Sequence, residues 1–391
     1  MRNNYIKLDK ELFLPTYNRL PIVVDYAFGT RIFDINGNAY LDFLGGIAVN
    51  ILGHSHPKIL NAIDNQIRKY MHLSNYFYQI TQIDLAKKLI DISGYDKVFF
   101  SNSGTEAIEG ALKLARRWGN LNSKNEIIAF SGGFHGRTYG ALSLMDKTKY
   151  KDKMGPFLDG IKILEYNNQQ ELENTINDKT TAVFIEFVQG EGGLKVADKN
   201  FIDKLFKLKN KFKFLIIADE IQSGIGRTGK FFAFEHYGVK PDIVTLAKGL
   251  GGGLPLGAIL TTNELSDVFE TGMHGTTFGG NSVACAAGLV VLDELEKGLQ
   301  NYVVSISKYF DEKLHYLKEK FSIIEEVRGI GLMKGLVFKC NASEIVDKLI
   351  KQGIISNATS KNVLRLVPPY IIQQYEIELF IEKLELILAD Y

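Results

Sequence analysis

The chain has 391 residues, 46% of them hydrophobic and 23% charged, with 46 Lys and Arg against 45 Asp and Glu. That length allows a large core and more than one domain, and the net charge of +1 supplies no basic field for nucleic acid or an anionic membrane surface. Two cysteines, Cys285 and Cys340, offer neither a disulfide framework nor metal spacing. Apolar runs such as Ala284–Leu292 fall short of the ~18 residues of a membrane span, and the first residues lack the apolar core of a signal peptide, so the cytosol is the expected location.

Residues 1–50 read as an arm with short strands. The alternating runs in Arg31–Phe43 flank Asn36-Gly37, a hairpin signal. His54 and His56 have no carboxylate or cysteine at ligand spacing, so they read as polar groups in a turn ahead of a helix over Lys58–Met71, not as metal ligands. From about residue 95, apolar β-rich runs at Lys97–Phe100, Glu126–Phe130, Thr181–Val188, Phe214–Ala218 and Asp242–Ala247 alternate with helical periods such as Thr105–Trp118 and Asn200–Lys211. This predicts an α/β fold with an open, mostly parallel sheet whose ligands bind at the carboxyl ends of the strands. A long helix and a smaller α+β region follow. The expected organisation is 1–50 as arm and part of a small domain, 51–285 as the large domain, and 286–391 completing the small one.

Several strand ends carry chemistry. Ser103, Gly104 and Thr105 stand between a strand and a helix, where hydroxyls and free N–H groups suit a phosphate or simply cap the helix. Phe134 and Arg137 lie in a glycine-bounded loop; the ring can stack and the guanidinium can grip a carboxylate, or both can be ordinary loop residues. Asp219 ends a buried strand, a costly place for a carboxylate unless it meets a cation or caps a turn. Gly224–Gly229 spells G-x-G-x-x-G but opens no helix, and Phe231 breaks the P-loop pattern. Lys248 ends an apolar strand before a glycine run; it either snorkels or presents a desolvated amine for Schiff-base chemistry with a carbonyl cofactor. Thr276 and Thr277 sit in a second glycine loop, and Arg365 near a chain reversal at Pro368-Pro369.

In this order, Ser-Gly-Thr, Phe-His-Gly-Arg, Asp-Glu-x-Gln, Lys-Gly, Gly-Thr-Thr-Phe-Gly-Gly-Asn and Arg-Leu-x-Pro-Pro resemble the class III pyridoxal-phosphate aminotransferases of fold type I, from Thr16 to Pro369. The resemblance implies pyridoxal 5'-phosphate as cofactor. Lys248 would bond it and move the substrate proton, Asp219 would keep its ring nitrogen protonated, Gln222 would meet the ring 3-oxygen, and Phe134 would stack on the ring. Ser103, Gly104 and Thr105 would hold the phosphate, with Thr277 reaching in from a second subunit, so a homodimer with its active site at the interface is implied. Arg137, Thr276, Glu191 and Arg365 would bind substrate.

Within the family, Gly46 stands near where ornithine-specific members carry a tyrosine, which leaves room for an acylated α-amine. The resemblance thus implies ping-pong transfer from N2-acetylornithine to 2-oxoglutarate, giving glutamate. Arg137 would serve the distal carboxylate of both substrates. Arg365 would serve only the near carboxylate of glutamate and would be masked by Glu191 otherwise. Sister transaminases of succinyl-diaminopimelate, ornithine or 4-aminobutyrate, and an intramolecular aminomutase, would use the same catalytic residues. A ligand-sensing regulator would need a DNA-binding extension for which residues 1–15 are too short. Phe187 departs from the family, which has proline there.

Overall fold

Runs such as Leu215-Ile216-Ile217-Ala218 have no polar face, so a strand made from them must be covered on both sides. The computed structural model, which describes residues 2–391, places that run at the centre of a seven-stranded sheet. Its strands, numbered in chain order, are β1 (Lys97–Ser101), β2 (Glu126–Phe130), β3 (Ile161–Leu164), β4 (Thr180–Ile185), β5 (Leu215–Asp219), β6 (Ile243–Leu246) and β7 (Gly257–Thr261). Their spatial order is β1-β7-β6-β5-β4-β2-β3. Pairing is parallel from β6 through to β3, and β7 is antiparallel to both its neighbours, so six strands point the same way.

Alternate residues of these strands feed two cores. Ile127, Ala129, Ala182, Phe184, Leu215 and Ile217 pack with Ala107, Ala111, Leu114 and Ala115 on one stripe of the helix Gly104–Leu121. Ile128, Phe130, Val183, Ile185, Ile216 and Ala218 face the other way, toward Phe201 and Leu205 of the helix Lys199–Phe212. Each such side chain contributes about 1.5–3 kcal/mol on burial, and cutting Leu205 to alanine would cost about 2–5 kcal/mol.

This topology positions the site. The carboxyl ends of β1, β2, β4, β5 and β6 lie along one edge, so the segments that follow them converge there. Because β7 runs back antiparallel, the link from β6 never leaves that edge, and Lys248 sits in it.

The five predicted strands are all present with ends moved by a residue or two, except that Thr181–Val188 splits. β4 stops at Ile185, and Val188–Gln189 pairs with Lys195–Val196 instead. β3 and β7 escaped prediction, since short apolar runs beside Gly160 and Gly257 carry no periodicity that separates strand from loop. Helix Pro57–Ile67 replaces the longer one expected over Lys58–Met71.

Near the N-terminus, Arg31–Asp34 and Ala39–Asp42 form the expected hairpin, with Asp34 accepting hydrogen bonds from the Asn36 and Asn38 N–H groups across its turn. Ile354–Ile355 pairs in parallel with Ala39–Asp42, so residues from both ends of the chain share one sheet. A second sheet, Ile324–Ile330, Met333–Phe338, Val363–Leu366 and Asn357–Thr359, holds Arg365. The boundary expected at residue 285 falls inside the helix Ser282–Glu294, which packs against Pro57–Ile67 and Ile80–Ser93.

Candidate active site

At the carboxyl edge the converging segments enclose a cavity of about 460 Å³, lined among others by Ser103, Gly104, Thr105, Phe134, Arg137, Glu191, Asp219, Gln222 and Lys248. Lys248 adopts a left-handed φ of +46°, a strained setting for a side-chain-bearing residue. Burial, followed by the nearby Arg365 charge, pushes its amine pKa down to about 8, against the pull of Glu191, Asp219 and Glu186. A lysine so placed keeps a larger share of its amine neutral and nucleophilic near neutral pH than an ordinary lysine does.

Asp219 lies on the cavity floor, 3% exposed. Its Oδ1 accepts from the Ile221 N–H (3.1 Å), and its Oδ2 lies 2.7 Å from the buried His135 Nδ1. Burial opposes charge on His135, but the hydrogen bond and charge of Asp219 outweigh it and raise the imidazole pKa. Glu186, at the end of β4, is also buried, and desolvation pushes its carboxyl up to about 7. It accepts from the N–H groups of Phe134 (2.9 Å) and Gly190 (3.3 Å), tying the loop after β2 to the loop after β4.

The helix Gly104–Leu121 begins at this cavity. Ser103 Oγ caps it by accepting from the Glu106 N–H (3.3 Å), while the Glu106 carboxylate accepts from the N–H of Asn102, the residue before the cap (2.8 Å). Thr105 Oγ1 lies 3.0 Å from Thr138 Oγ1 and accepts from the Arg137 N–H (3.3 Å). Gly136, at φ +135°, has no room for a side chain, because a Cβ would stand 2.1 Å from Thr105 Oγ1.

Two arginines stand in different settings. Arg137 is exposed, and its guanidinium carbon lies 3.7 Å from the Tyr150 ring centroid and 5.4 Å from that of Phe134. Arg365, 1% exposed, pairs through Nη1 with the Glu191 carboxylate, and its Nε donates to Asn357 Oδ1 (3.1 Å). Nη1 also lies 3.4 Å from Gln222 Oε1 and 3.5 Å from the Gly190 carbonyl. Burial raises the Glu191 pKa, but the Arg365 charge and hydrogen bond outweigh it and hold the carboxyl below its ordinary value.

The fold therefore brings nine of the expected residues to one cavity, with Arg365 directly behind Glu191 and Gln222. Thr276 stands close by, its Oγ1 accepting from Asn102 Nδ2 (3.0 Å). Thr277 is exposed and does not line the cavity of this chain. Gly46 needs correction: it does not line the cavity either, and a Cβ on it would meet Asn50 Nδ2 at 2.8 Å. Its φ of +64° lies in a left-handed turn over Gly45–Ala48, and Val49, just after that turn, reaches the cavity wall instead. Phe187 is fully buried against Phe234 and Tyr237. His54 is held by Asp42, 2.8 Å away.

Sequence reasoning gave no role to His135, Glu186 or Tyr150. The rule that singled out Asp219, a carboxylate ending an apolar strand, applies equally to Glu186. His135 adjoins Phe134 in the same loop, but Tyr150 gave no local signal.

These donors fit pyridoxal phosphate. A buried amine of lowered pKa suits an aldehyde, a carboxylate on the floor suits a protonated ring nitrogen, and a helix N-terminus with the Thr105 hydroxyl suits a phosphate.

The sequence profile of the family "Aminotransferase class-III" matches residues 13–388. The chain is 45% identical to the acetylornithine aminotransferase of Methanocaldococcus jannaschii, over 100% of this chain and 99% of that one. It is also 45% identical to that of Caldanaerobacter subterraneus, over 98% and 99%. Among solved structures, acetylornithine aminotransferase from Elizabethkingia anophelis matches with a TM-score of 0.90 at 33% identity, covering 100% and 99% of the two chains. Ornithine aminotransferase from Toxoplasma gondii matches with a TM-score of 0.96 at 30% identity, covering 100% and 96%. The chain belongs to the class-III aminotransferase family, of fold type I, and pyridoxal phosphate is its cofactor.

Proposed function

We propose that the chain transfers the terminal amine of N2-acetylornithine to 2-oxoglutarate in the cytosol, yielding N-acetylglutamate 5-semialdehyde and glutamate, as a step of arginine biosynthesis. The observation that carries this reading is the pairing state of the two arginines. Arg137 has no carboxylate partner among the described residues, whereas Arg365 is capped by Glu191. An amine donor with one distal carboxylate needs only Arg137. Glutamate, which reacts beside a second carboxylate, also needs Arg365. The names carried by the relatives at 45% identity support the same choice over ornithine as donor. No described helix is long and apolar enough to cross a membrane.

The bound cofactor supplies a carbonyl for amine exchange and a ring that takes up electron density as a substrate C–H bond breaks. Asp219, oriented by His135 and the Ile221 N–H, would hold the ring nitrogen's proton. Phe134 and Gln222 would bind beside the ring, and Ser103, Gly104 and Thr105 would hold the phosphate. Lys248 Nζ would accept the proton leaving the substrate carbon. Thr276 assists in substrate binding. Residues from 51 through the helix Ser282–Glu294 would form the domain that carries this machinery, and the first 50 residues with those after that helix the smaller one that brings Arg365.

The enzyme acts as a homodimer in which Thr277 completes the partner's phosphate site. Support comes from the surface beside Thr277, where Tyr76, Phe77, Tyr78 and Ile80 are 95%, 62%, 99% and 75% exposed. Asn75 Nδ2 ties this segment to the Thr276 and Gly279 carbonyls (3.3 and 3.2 Å). A contiguous aromatic patch of this kind calls for a cover. Sedimentation should give twice the chain mass, and Tyr78→Asp should halve it and weaken cofactor retention; a monomeric wild type would remove Thr277 from the site.

The activity is tested with the cofactor-loaded enzyme and no keto acid. N2-acetylornithine, succinyl-diaminopimelate, ornithine and 4-aminobutyrate are added singly while the cofactor spectrum is followed. Rapid conversion by N2-acetylornithine, with ornithine and 4-aminobutyrate slow, is the expected result. Conversion only by another donor would overturn the substrate and leave the family standing.

A further inference from the structure

The guanidinium of Arg137 is held in an unusual way for a cation at a cavity mouth. It makes no ion pair and no side-chain hydrogen bond among the described residues; its neighbours are ring faces, Tyr150 at 3.7 Å and Phe134 at 5.4 Å. Stacking occupies the flat face of a guanidinium and leaves its edge donors free. Those edge donors are what a carboxylate takes in a bidentate pair. A hydrogen-bonding partner would have fixed the same side chain at the cost of the donors that substrate needs.

Tyr150 is itself fixed. It lies in the short helix Thr148–Lys151, half-buried, with its ring at 88° to that of Phe134 and 6.2 Å from it. Lys147, at the cap of that helix, donates to the Glu191 carbonyl (3.2 Å) and stands 5.4 Å from the Tyr150 centroid. One short segment thus touches the open arginine directly and the masked one through Glu191.

We propose that Tyr150 is the positioning residue for Arg137: its ring face holds the guanidinium flat at the cavity mouth, donors free, and so sets affinity for the distal carboxylate of both substrates. This rests on the reading of Arg137 as the carboxylate-binding cation. The ring face is the working part. The hydroxyl is not, so phenylalanine replaces tyrosine without loss, while leucine, apolar but without a ring face, does not.

The test compares Tyr150→Leu, Tyr150→Phe, Arg137→Ala and the double variant Tyr150→Leu/Arg137→Ala as cofactor-loaded enzymes, each checked by thermal unfolding. Half-reactions are run to saturation with N2-acetylornithine, with glutamate and with pentylamine, a donor that has no carboxylate. Tyr150→Leu should raise the half-saturating concentration of both carboxylate donors roughly three- to thirtyfold, keep the limiting rate within about twofold, and leave pentylamine unchanged. Tyr150→Phe should match the wild type, and Tyr150→Leu should add nothing to Arg137→Ala. If Arg137→Ala weakens the carboxylate donors and Tyr150→Leu does not, the role of Tyr150 falls and that of Arg137 stands. If Arg137→Ala also changes nothing, the reading of Arg137 falls as well. An equal loss with pentylamine would overturn the proposal, because Tyr150 would then act on the cofactor side through Phe134. So would a Tyr150→Phe variant as impaired as Tyr150→Leu, because the hydroxyl and not the ring would then matter.

Discussion

Arg137 stands in an exposed loop after β2, held by two rings and paired with no carboxylate among the described residues. Arg365 lies inside a four-stranded sheet, 1% exposed, with Glu191, Asn357, Gln222 and the Gly190 carbonyl around it. The difference follows from solvation. An exposed guanidinium keeps its water and can wait unpaired, whereas a buried one left without an anion costs about 3–5 kcal/mol. Arg365 can therefore meet a substrate carboxylate only by exchanging Glu191 for it, so that the buried charge stays balanced throughout. On the proposed substrate assignment, one arginine is open to any substrate with a distal carboxylate, and the other is released only by a substrate that brings its own replacement anion.

The sharpest attempt to break this contrast is Arg365→Ala. It strands Glu191 and removes the proposed near-carboxylate site, so the glutamate half-reaction should fall by about 2–5 kcal/mol, roughly thirtyfold to a few thousandfold. The N2-acetylornithine half-reaction should keep most of its rate. Stopped-flow absorbance reads both, and equal losses would end the asymmetry. Arg137→Ala should act differently and less: both donors lose about tenfold to a hundredfold in half-saturating concentration, as for one charge-assisted bidentate pair.

How far the sequence carried these assignments depended on where the determining contact lies along the chain. Asp219 and Lys248 could be singled out locally, because a polar side chain closing an apolar strand is anomalous, but a turn cap and a snorkelling lysine explained them equally well until the resemblance assigned their roles. The sheet could be read from Glu126–Phe130, Phe214–Ala218 and Asp242–Ala247, because apolar runs alternating with helical periods are also a local pattern. Arg365 and Glu191 are 174 positions apart, and only the resemblance to a family paired them. Gly46 shows the limit of that route. The residue matched the pattern, yet it stands off the cavity in the left-handed turn over Gly45–Ala48, and Val49 forms the wall instead. Tyr150 carried no signal because its partner lies in a different loop and the contact is to a ring face, which no spacing rule encodes.

Glu191→Gln tests the mask with a smaller effect. It keeps the size and one acceptor but removes the charge, so Arg365 stands partly unmasked in every state. Discrimination between donors, measured as the ratio of the two half-reaction rates, should shift toward glutamate by about tenfold; an unchanged ratio would mean that Glu191 does not gate Arg365. The wild-type pair should not itself titrate near neutrality. The Glu191 pKa is depressed in the folded protein, so its contribution is present above the ordinary carboxylate range and is lost only as pH falls through the lowered value.

The smallest effect separates the two arginines by their reach to Lys248. Burial is the main reason that amine sits at about 8; Arg365 lowers it further and Glu191 raises it, and Arg137 is not among the charges that dominate the shift. Capture of pyridoxal phosphate by the cofactor-free protein needs the neutral amine, so its rate should climb with pH and level off above about 8. Removing the Arg365 cation relieves repulsion of the protonated amine and should move that midpoint up. Glu191→Gln removes an attraction and should move it down. Arg137→Ala should leave it where it is. A midpoint that followed Arg137 instead would mean that the exposed arginine, not the buried one, shares the electrostatic environment of the lysine, and the division of labour between the two would have to be reversed.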